Sequence, residues 1–261
     1  SPIPYWYYVS GNGISKEQVP TKSDMEQDLE NFIENRIRNC NFRDYYEDSF
    51  AISLGEPKVN VKIMDDRVSV DLDMDIEFEK GNDTAVVRNH EISYDSKLGT
   101  LYDSAIEVYE QEQREFFLER YGIDTLRSYA PVDGAEITCS PLVWNAEEIF
   151  DGLQEAIDEN TARLSSRGSR EDYFVLNLTT EENVKFLSSR NWPSSFEILP
   201  AEEQVVIANP IGNQQGMGII GFCYIPYHFI YNIGYPVLVQ VGDVAGENFQ
   251  FPLAVVIRVN N

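Results

Sequence analysis

Residues 59 to 94 read VNVKIMDDRVSVDLDMDIEFEKGNDTAVVRNHEISY, and this stretch decides the fold of the surrounding region. Apolar and polar residues alternate through most of it, which is the period of a strand with one buried face. Two short polar breaks, Asp65-Asp66 and Gly81-Asn82, interrupt the alternation and supply turns. The stretch therefore predicts a three-stranded antiparallel meander.

A two-residue turn at Asp65-Asp66 fixes which residues of the first two strands face each other. The pairs on one face are all apolar: Ile63 with Val68, Val61 with Val70, and Val59 with Leu72. The pairs on the other face are polar: Lys58 with Asp73 and Asn60 with Asp71, with Lys62 diagonal to Asp71. Both strands thus agree on the buried face, and we expect six side chains of the second strand to point inward: Val68, Val70, Leu72, Met74, Ile76 and Phe78.

The second strand also carries carboxylates on alternate residues: Asp71, Asp73, Asp75, Glu77 and Glu79. Neighbours on one face of a strand lie about 6.8 Å apart, whereas Ca²⁺ takes six to eight oxygens within about 2.6 Å. One strand cannot surround a calcium ion, so a solvated face is the favoured interpretation. The alternative is a cation site, with Asp71, Asp73 and Asp75 as candidate metal ligands and Ca²⁺ as the candidate ion.

Three segments have the apolar period of amphipathic helices: Ser23 to Cys40, Leu98 to Tyr121, and Asn145 to about Leu164. The cap residues predicted for their first turns are Ser23 with Glu26, Thr100 with Asp103, and Asn145. Gly122 is expected to end the second helix. Cys40 follows Ile33 and Ile37 at helical spacing, which predicts a small buried side chain.

The C-terminal part of the chain is predicted to be mostly sheet. An uncharged run, residues 218 to 242, is long enough to span a bilayer, but Pro226, Gly234 and Pro236 interrupt it, so buried strands are favoured over a membrane span. A Ser- and Arg-rich linker is predicted at residues 165 to 170. We therefore expect an α+β fold in which antiparallel meanders pack with three amphipathic helices, divided into residues 1–166 and a β-rich region at residues 171–261.

The charge of the chain limits its partners. Lys and Arg number 20 against 44 Asp and Glu, a formal net charge of −24, which repels phosphate backbones and anionic membrane surfaces. Nucleic acid is therefore excluded as a partner, and a membrane is expected only through a separate anchor. The three cysteines allow at most one internal disulfide, and their spacing lacks the CxxC pairs of zinc sites.

Nucleophilic catalysis is disfavoured because the chain has only two histidines, His90 and His228. His228 follows Cys223 by five residues, and an odd spacing on a strand sends two side chains to opposite faces. A histidine packed in the core is the favoured interpretation of His228. No catalytic residue or cofactor-binding motif is predicted.

Several stretches together resemble a group of uncharacterised archaeal surface proteins found mainly in small-genome archaea. The stretches are PIPYWYY (residues 2–8), DMEQDLENFIENRIRNC (residues 24–40), GEPKVNVKIMDDRVSVDLDMDIEFEKG (residues 55–81) and KLGTLYDSAIEV (residues 97–108). The resemblance covers about the first half of the chain. It implies an ectodomain at the cell surface that follows an N-terminal transmembrane anchor absent from this chain, and it implies no activity.

Two functions from different classes remain open. The first is a non-enzymatic extracellular domain that binds a partner, either a protein or a surface glycan, or contributes to a surface assembly. The second is a secreted or surface hydrolase that uses paired carboxylates, with glycans as the candidate substrate. The hydrolase requires a cleft where two carboxylates converge and where one of them is desolvated and has a raised pKa.

Overall fold

A computed structural model describes residues 5–10, 12–40, 42, 46–47, 50–165, 174–201, 204–212, 223–242 and 246–258. The chain forms two compact units. The ribbon unit comprises residues 19–104 and 242–249, and the main unit comprises residues 1–18, 105–241 and 250–261. The predicted linker falls almost wholly on residues 166–173, outside the described residues, so the boundary placed there stays a prediction.

The described elements combine helices with mainly antiparallel strands, which confirms the predicted α+β class. In chain order they are β1 (Tyr7–Val9), β2 (Ser15–Glu17), α1 (Lys22–Ile37), β3 (Ala51–Leu54), β4 (Lys58–Ile63), β5 (Arg67–Lys80), β6 (Asp83–Asp95), α2 (Leu98–Glu115), α3 (Phe117–Tyr129), β7 (Asp133–Glu136), β8 (Leu142–Asn145), α4 (Ala146–Thr161), β9 (Leu164–Ser165), β10 (Phe174–Val175), β11 (Val184–Leu187), β12 (Ser195–Leu199), β13 (Val205–Ala208), β14 (Ile225–His228), β15 (Ile230–Gly242) and β16 (Asn248–Arg258).

The ribbon unit is built on the predicted meander, and the predicted register is confirmed. In the β4–β5 ladder Ile63 faces Val68, and Lys58 faces Asp73. Strand β6 pairs with β5 along almost its whole length, and β3 extends the sheet beside the second half of β5. The core contains Val59, Val61, Leu72 and Met74, against which the apolar side of α1 packs through Leu29, Ile33 and Ile37.

Helix α1 closes the outer edge of β4 with carboxylates. Glu26, Glu30 and Glu34 lie one turn apart, and each accepts a hydrogen bond from a backbone N–H of β4: Ile63 at 3.0 Å, Val61 at 3.0 Å and Val59 at 2.9 Å, respectively. A helix turn rises by about 5.4 Å, which is close to the distance between alternate residues of a strand. Glutamates on one face of the helix can therefore accept hydrogen bonds from three successive outward N–H groups of the strand. These groups are therefore not free to pair with another strand.

Two predictions at the ends of α1 are wrong. The capping box is formed by Thr21 and Asp24: the Asp24 N–H donates to Thr21 Oγ1 (3.1 Å) and the Asp24 carboxylate accepts from the Thr21 N–H (2.8 Å). The box thus begins two residues before Ser23, and Glu26 is left for the edge of β4. Cys40 is exposed. Helix α1 ends at Ile37, so the helical spacing that would put the Cys40 side chain beside Ile33 and Ile37 does not extend to residue 40.

The main unit is organised by a mixed sheet in the order β10-β9-β11-β15-β16-β1-β2, with β12 also paired to β15. The long strand β15 lies in its interior, and six alternate side chains on one of its faces are buried: Tyr231, Ile233, Tyr235, Val237, Val239 and Val241. Trp6 stacks on Phe251 with ring centroids 4.1 Å apart. The uncharged run is therefore sheet where it is described, as predicted. None of the described helices is long and apolar enough to cross a bilayer.

The second predicted helix is broken into two, so the described residues form four helices rather than three. Phe116 adopts a left-handed conformation (φ 50°) between α2 and α3. Gly122 does not end the helix but lies within α3, where an added Cβ would come within 2.6 Å of Ile257 Cδ1 and 2.7 Å of the Tyr235 hydroxyl. Glycine is therefore required there for close packing and not for termination.

Of the two remaining cap predictions, one is confirmed and one is wrong. Asn145 caps α4 as predicted, since its side chain accepts a hydrogen bond from the Glu147 N–H at 2.9 Å. The proposed Thr100–Asp103 cap is wrong because α2 begins at Leu98, two residues earlier. Thr100 donates to the carbonyl of Asp65 (2.8 Å), and Asp103 forms a salt bridge with Lys22.

Candidate functional site

The acidic stripe of β5 lies on the ribbon unit and is exposed at Asp71 and Asp73. Lys58 faces Asp73 and Asn60 faces Asp71, as predicted. Lys62 faces Ser69 and so lies diagonal to Asp71 as predicted, but its ammonium forms an ion pair with Glu26 at 3.2 Å. The stripe is thus neutralised by its neighbouring strand at fewer positions than the sequence suggested.

Asp75 is held by a bidentate ion pair with Arg88 of β6. The guanidinium Nε lies 2.5 Å from Oδ1, and Nη2 lies 3.1 Å from Oδ2. Arg88 lowers the pKa of Asp75 through this hydrogen bonding and through its charge. Asp75 is therefore an ionised carboxylate bound to a cation of its own chain.

A cleft of about 260 Å³ lies at this end of the stripe. Asp73, Asp75 and Glu56 line it together with two cations, Lys58 and Arg88. Within the described ranges, no group of three or more His, Cys, Asp or Glu side chains is arranged to hold a metal ion. The assignment of Asp71, Asp73 and Asp75 as metal ligands therefore stays a prediction from the sequence.

The other edge of the sheet, formed by β6, is exposed along its length. Four of its large apolar side chains are in solvent: Val86 (55% exposed), Val87 (46%), Ile92 (66%) and Tyr94 (71%). The strand contains no proline, lysine or glycine, which are common devices for protecting an edge. Within the described part of the chain, β5 is the only strand that pairs with it. The outer edge of β4 is thus closed by glutamates, whereas the edge formed by β6 is open.

The backbone groups on the open edge can be assigned by alternation. Since Met64 N–H donates to the Arg67 carbonyl and the N–H groups of Val59, Val61 and Ile63 point to α1, the odd-numbered residues from Arg67 to Asp73 bond β4. The even-numbered residues of that stretch therefore bond β6, where their partners are His90, Ile92 and Tyr94. On β6 the N–H and C=O groups that point outward belong to Asn89, Glu91 and Ser93.

A buried carboxyl pair lies in the main unit, at the break between α2 and α3. Glu112 is only 2% exposed and accepts a hydrogen bond from the Leu118 N–H at the start of α3 (3.2 Å). Burial, followed by hydrogen bonding and charge repulsion from Glu119, raises the pKa of Glu112 to about 9. Glu119 Oε2 is buried without a hydrogen-bond partner among the described residues. Glu112 therefore carries a proton at neutral pH.

None of the described clefts combines two carboxylates of which one has a raised pKa, as a hydrolase of this kind needs. Two clefts of similar size lie in the main unit: Glu197 is the only carboxylate that lines the one of about 470 Å³, and Glu148 is the only carboxylate that lines the one of about 490 Å³. The Asn232 amide donates to Glu197 Oε2 at 2.7 Å. Glu112 and Glu119 line none of the three clefts described, and the carboxylates of the ribbon cleft face Lys58 and Arg88.

Cys223 and His228 do not form a nucleophile and base pair. Cys223 forms a disulfide with Cys139. His228 is exposed on β14, which makes the predicted core placement wrong: along this strand Ile225 is buried, whereas Pro226 and His228 point to the exposed face. His90 Nε2 lies 3.2 Å from the Met74 carbonyl. A Cys223–His228 dyad is incompatible with the disulfide.

Comparison with known proteins adds no relative: no family model, curated protein or solved structure matches the chain.

Two features of the structure were not predicted from the sequence. The open edge had a signal, the adjacent apolar residues Val86 and Val87, which break the alternation in the third strand. Glu112 also had one, because it falls four residues after Val108 on the apolar face of its helix.

Proposed function

We propose that the chain is a non-enzymatic extracellular domain that binds a partner protein by strand addition at the open edge of β6. The observation that carries this proposal is the difference between the two edges of one sheet. Glutamates of α1 occupy the N–H groups of β4, whereas β6 presents its own outward groups and four exposed apolar side chains to solvent. An added strand would satisfy the backbone groups and cover the apolar side chains together.

An extracellular setting is supported by the Cys139–Cys223 disulfide, because such bonds persist in oxidising compartments. The resemblance to archaeal surface proteins leads to the same setting. An anchor upstream of this chain would hold the domain at the membrane and place its exposed edges toward other surface molecules.

The hydrolase is the less favoured function, because it requires a cleft that contains a carboxyl with a raised pKa. The described carboxyl with a raised pKa, Glu112, caps a helix and lies away from the described clefts. The cleft with several carboxylates has cations beside them, which favours ionised groups rather than a general acid.

The test of strand addition is selection of extended peptides from a displayed library with the intact chain as bait. We expect selected peptides to slow hydrogen exchange at the amides of Asn89, Glu91 and Ser93, which point outward. A Glu91→Pro variant removes one outward N–H without removing a bond to β5, so it should lose peptide binding. Glu91→Ala, which keeps the N–H, is the matched control.

Equal binding by the Pro and Ala variants, or protection confined to other strands, would show that β6 is not the binding edge. Recovery of no peptide above background would have the same meaning, because backbone pairing at an open edge depends only partly on side-chain identity.

A further inference from the structure

We infer that the strand added to β6 alternates basic and apolar residues, with Lys or Arg on the face of the sheet that carries the acidic stripe and apolar side chains on the face that α1 packs against. This inference rests on the proposed function and names the chemistry of its partner. The backbone of the added strand bonds the outward groups of Asn89, Glu91 and Ser93, so its side chains alternate between the two faces of the sheet in step with those of β6.

The face that α1 packs against is apolar up to the open edge. Tyr94 of β6 lies opposite Val68, and Ile92 lies opposite Val70. Val68 and Val70 both pack against the apolar core under α1. Tyr94 and Ile92 share that face but are mostly in solvent. Apolar side chains on the same face of an added strand would lie beside them and extend the apolar layer.

The other face is acidic, and it contains one unfavourable pair. Three pairs of charged residues face each other directly in the β5–β6 ladder. Two of them are complementary: Arg67 with Asp95, and Lys80 with Asp83. The third sets Asp71 against Glu91, and like charges directly opposite each other destabilise a sheet.

Neither carboxylate of this unfavourable pair forms a salt bridge within the described part of the chain, and both are exposed. On its β4 side Asp71 faces the neutral Asn60, and the ammonium of Lys62 pairs with Glu26. Because Glu91 is one of the outward residues of β6, a residue of an added strand would lie directly opposite it on the acidic face. A Lys or Arg at that position would reduce the repulsion between Glu91 and Asp71.

Strand β4 has the inferred pattern on the other side of β5. Its sequence, KVNVKI, alternates lysine and asparagine with apolar residues. Val59, Val61 and Ile63 are buried on the face that α1 packs against, whereas Lys58 and Lys62 are exposed on the acidic face. An added strand of the same pattern would thus pair with β6 as β4 pairs with β5.

The test uses three fluorescein-labelled peptides of about nine residues, titrated with the intact chain and followed by fluorescence anisotropy. The first alternates Lys and Val, the second alternates Glu and Val, and the third has the composition of the first arranged in two blocks. At about 0.15 M salt, attraction by the net charge of −24 is screened beyond about 8 Å. The alternating Lys peptide should bind at least about tenfold more tightly than either of the others, and it should slow hydrogen exchange at Asn89, Glu91 and Ser93.

Charge reversal tests the pairing at Glu91. Glu91→Lys should weaken binding of the alternating Lys peptide at least about fivefold and strengthen binding of the alternating Glu peptide, because it exchanges attraction and repulsion at one cross-strand pair. Glu110→Lys is the matched control, because it changes the net charge equally at an exposed position of α2. It should change either dissociation constant less than about twofold.

Substitution of an apolar residue tests the other face. Ile92→Ser should weaken binding of the alternating Lys peptide at least about threefold, and Ile92 is exposed enough for the fold to tolerate the change. Val86→Ser should leave the affinity unchanged. Val86 is also an exposed apolar residue of β6, but it lies opposite Glu77, on the acidic face and beyond the register irregularity of the ladder.

The outcomes separate this inference from strand addition itself. If the alternating Glu peptide or the block peptide protects the outward amides as strongly as the alternating Lys peptide, the inference is wrong and strand addition stands. Equal affinity of the alternating Lys peptide for the parent chain and for Glu91→Lys would contradict it in the same way. Protection by none of the three peptides would also overturn the inference, and strand addition would then be decided by the displayed library, whose peptides are not restricted to this pattern.

Discussion

Replacing Glu112 by glutamine should make the protein more stable at neutral and alkaline pH. The glutamine amide can still accept from the Leu118 N–H and donate toward Glu119, and it carries no proton to lose. The folded-state pKa of Glu112 is about 9, above its ordinary 4.5. The stabilisation from its bound proton is therefore complete below pH 4.5 and is lost progressively as the pH rises toward 9.

The magnitude follows from that interval. One pKa unit corresponds to about 1.4 kcal/mol, and pH 7 lies about 2.5 units above the ordinary pKa. Keeping Glu112 protonated in the folded chain thus costs about 3 kcal/mol at pH 7 that glutamine does not incur. The advantage of Glu112→Gln in free energy of unfolding should be near zero at pH 4.5 and should grow toward pH 8.5.

The assay is urea unfolding followed by tryptophan fluorescence at pH 5, 7 and 8.5. Glu110→Gln is the matched control, because Glu110 lies on the same helix and is exposed. Its effect on unfolding should not vary with pH in this way. A Glu112→Gln variant whose advantage is the same at all three pH values, or which is less stable than the parent at pH 8.5, would refute a protonated Glu112.

Three further outcomes are expected. Glu30→Ala leaves the buried Val61 N–H without an acceptor and should lower the free energy of unfolding by about 1 to 2 kcal/mol, whereas Asp28→Ala on the exposed side of the same helix should change it little. Gly122→Ala should destabilise the chain by about 1 to 3 kcal/mol because its Cβ has no room, while Gly152→Ala in open helix should stabilise it by about 0.5 to 1 kcal/mol, both measured by urea unfolding. In the native protein, Cys40 should react with a thiol reagent at one equivalent per chain by mass spectrometry, and further labelling should require prior reduction.

The meander was predictable because its signals are local. Alternation and one turn determine both the face and the register of β4 and β5, and a slip of one residue would expose the whole apolar set. Asn145 was likewise recognisable as a cap, since it directly precedes a helical apolar stripe. These predictions use contacts between residues near one another in sequence.

Long-range contacts account for the failures. Nothing local to Ser23 shows that Glu26 bonds β4, and this contact displaces the predicted capping box to Thr21. Gly122 resembles a helix stop because the strands that press against it lie over a hundred residues later in the chain. At the break between α2 and α3 the Leu118 N–H donates to the buried Glu112 carboxyl, a contact for which the sequence carries no turn or capping signal.

The glutamates of α1 change how the acidic composition should be understood. A net charge of −24 suggests a uniformly solvated acidic surface, yet Glu26, Glu30 and Glu34 act as hydrogen-bond acceptors that close a sheet edge. Because those three carboxylates occupy the N–H groups of β4, strand addition on that side would have to displace charged acceptors. On the β6 side an incoming strand displaces only water from backbone groups and apolar side chains. The strand addition that we propose is therefore directed to the β6 edge, because the helix face that carries the glutamates occupies the β4 edge.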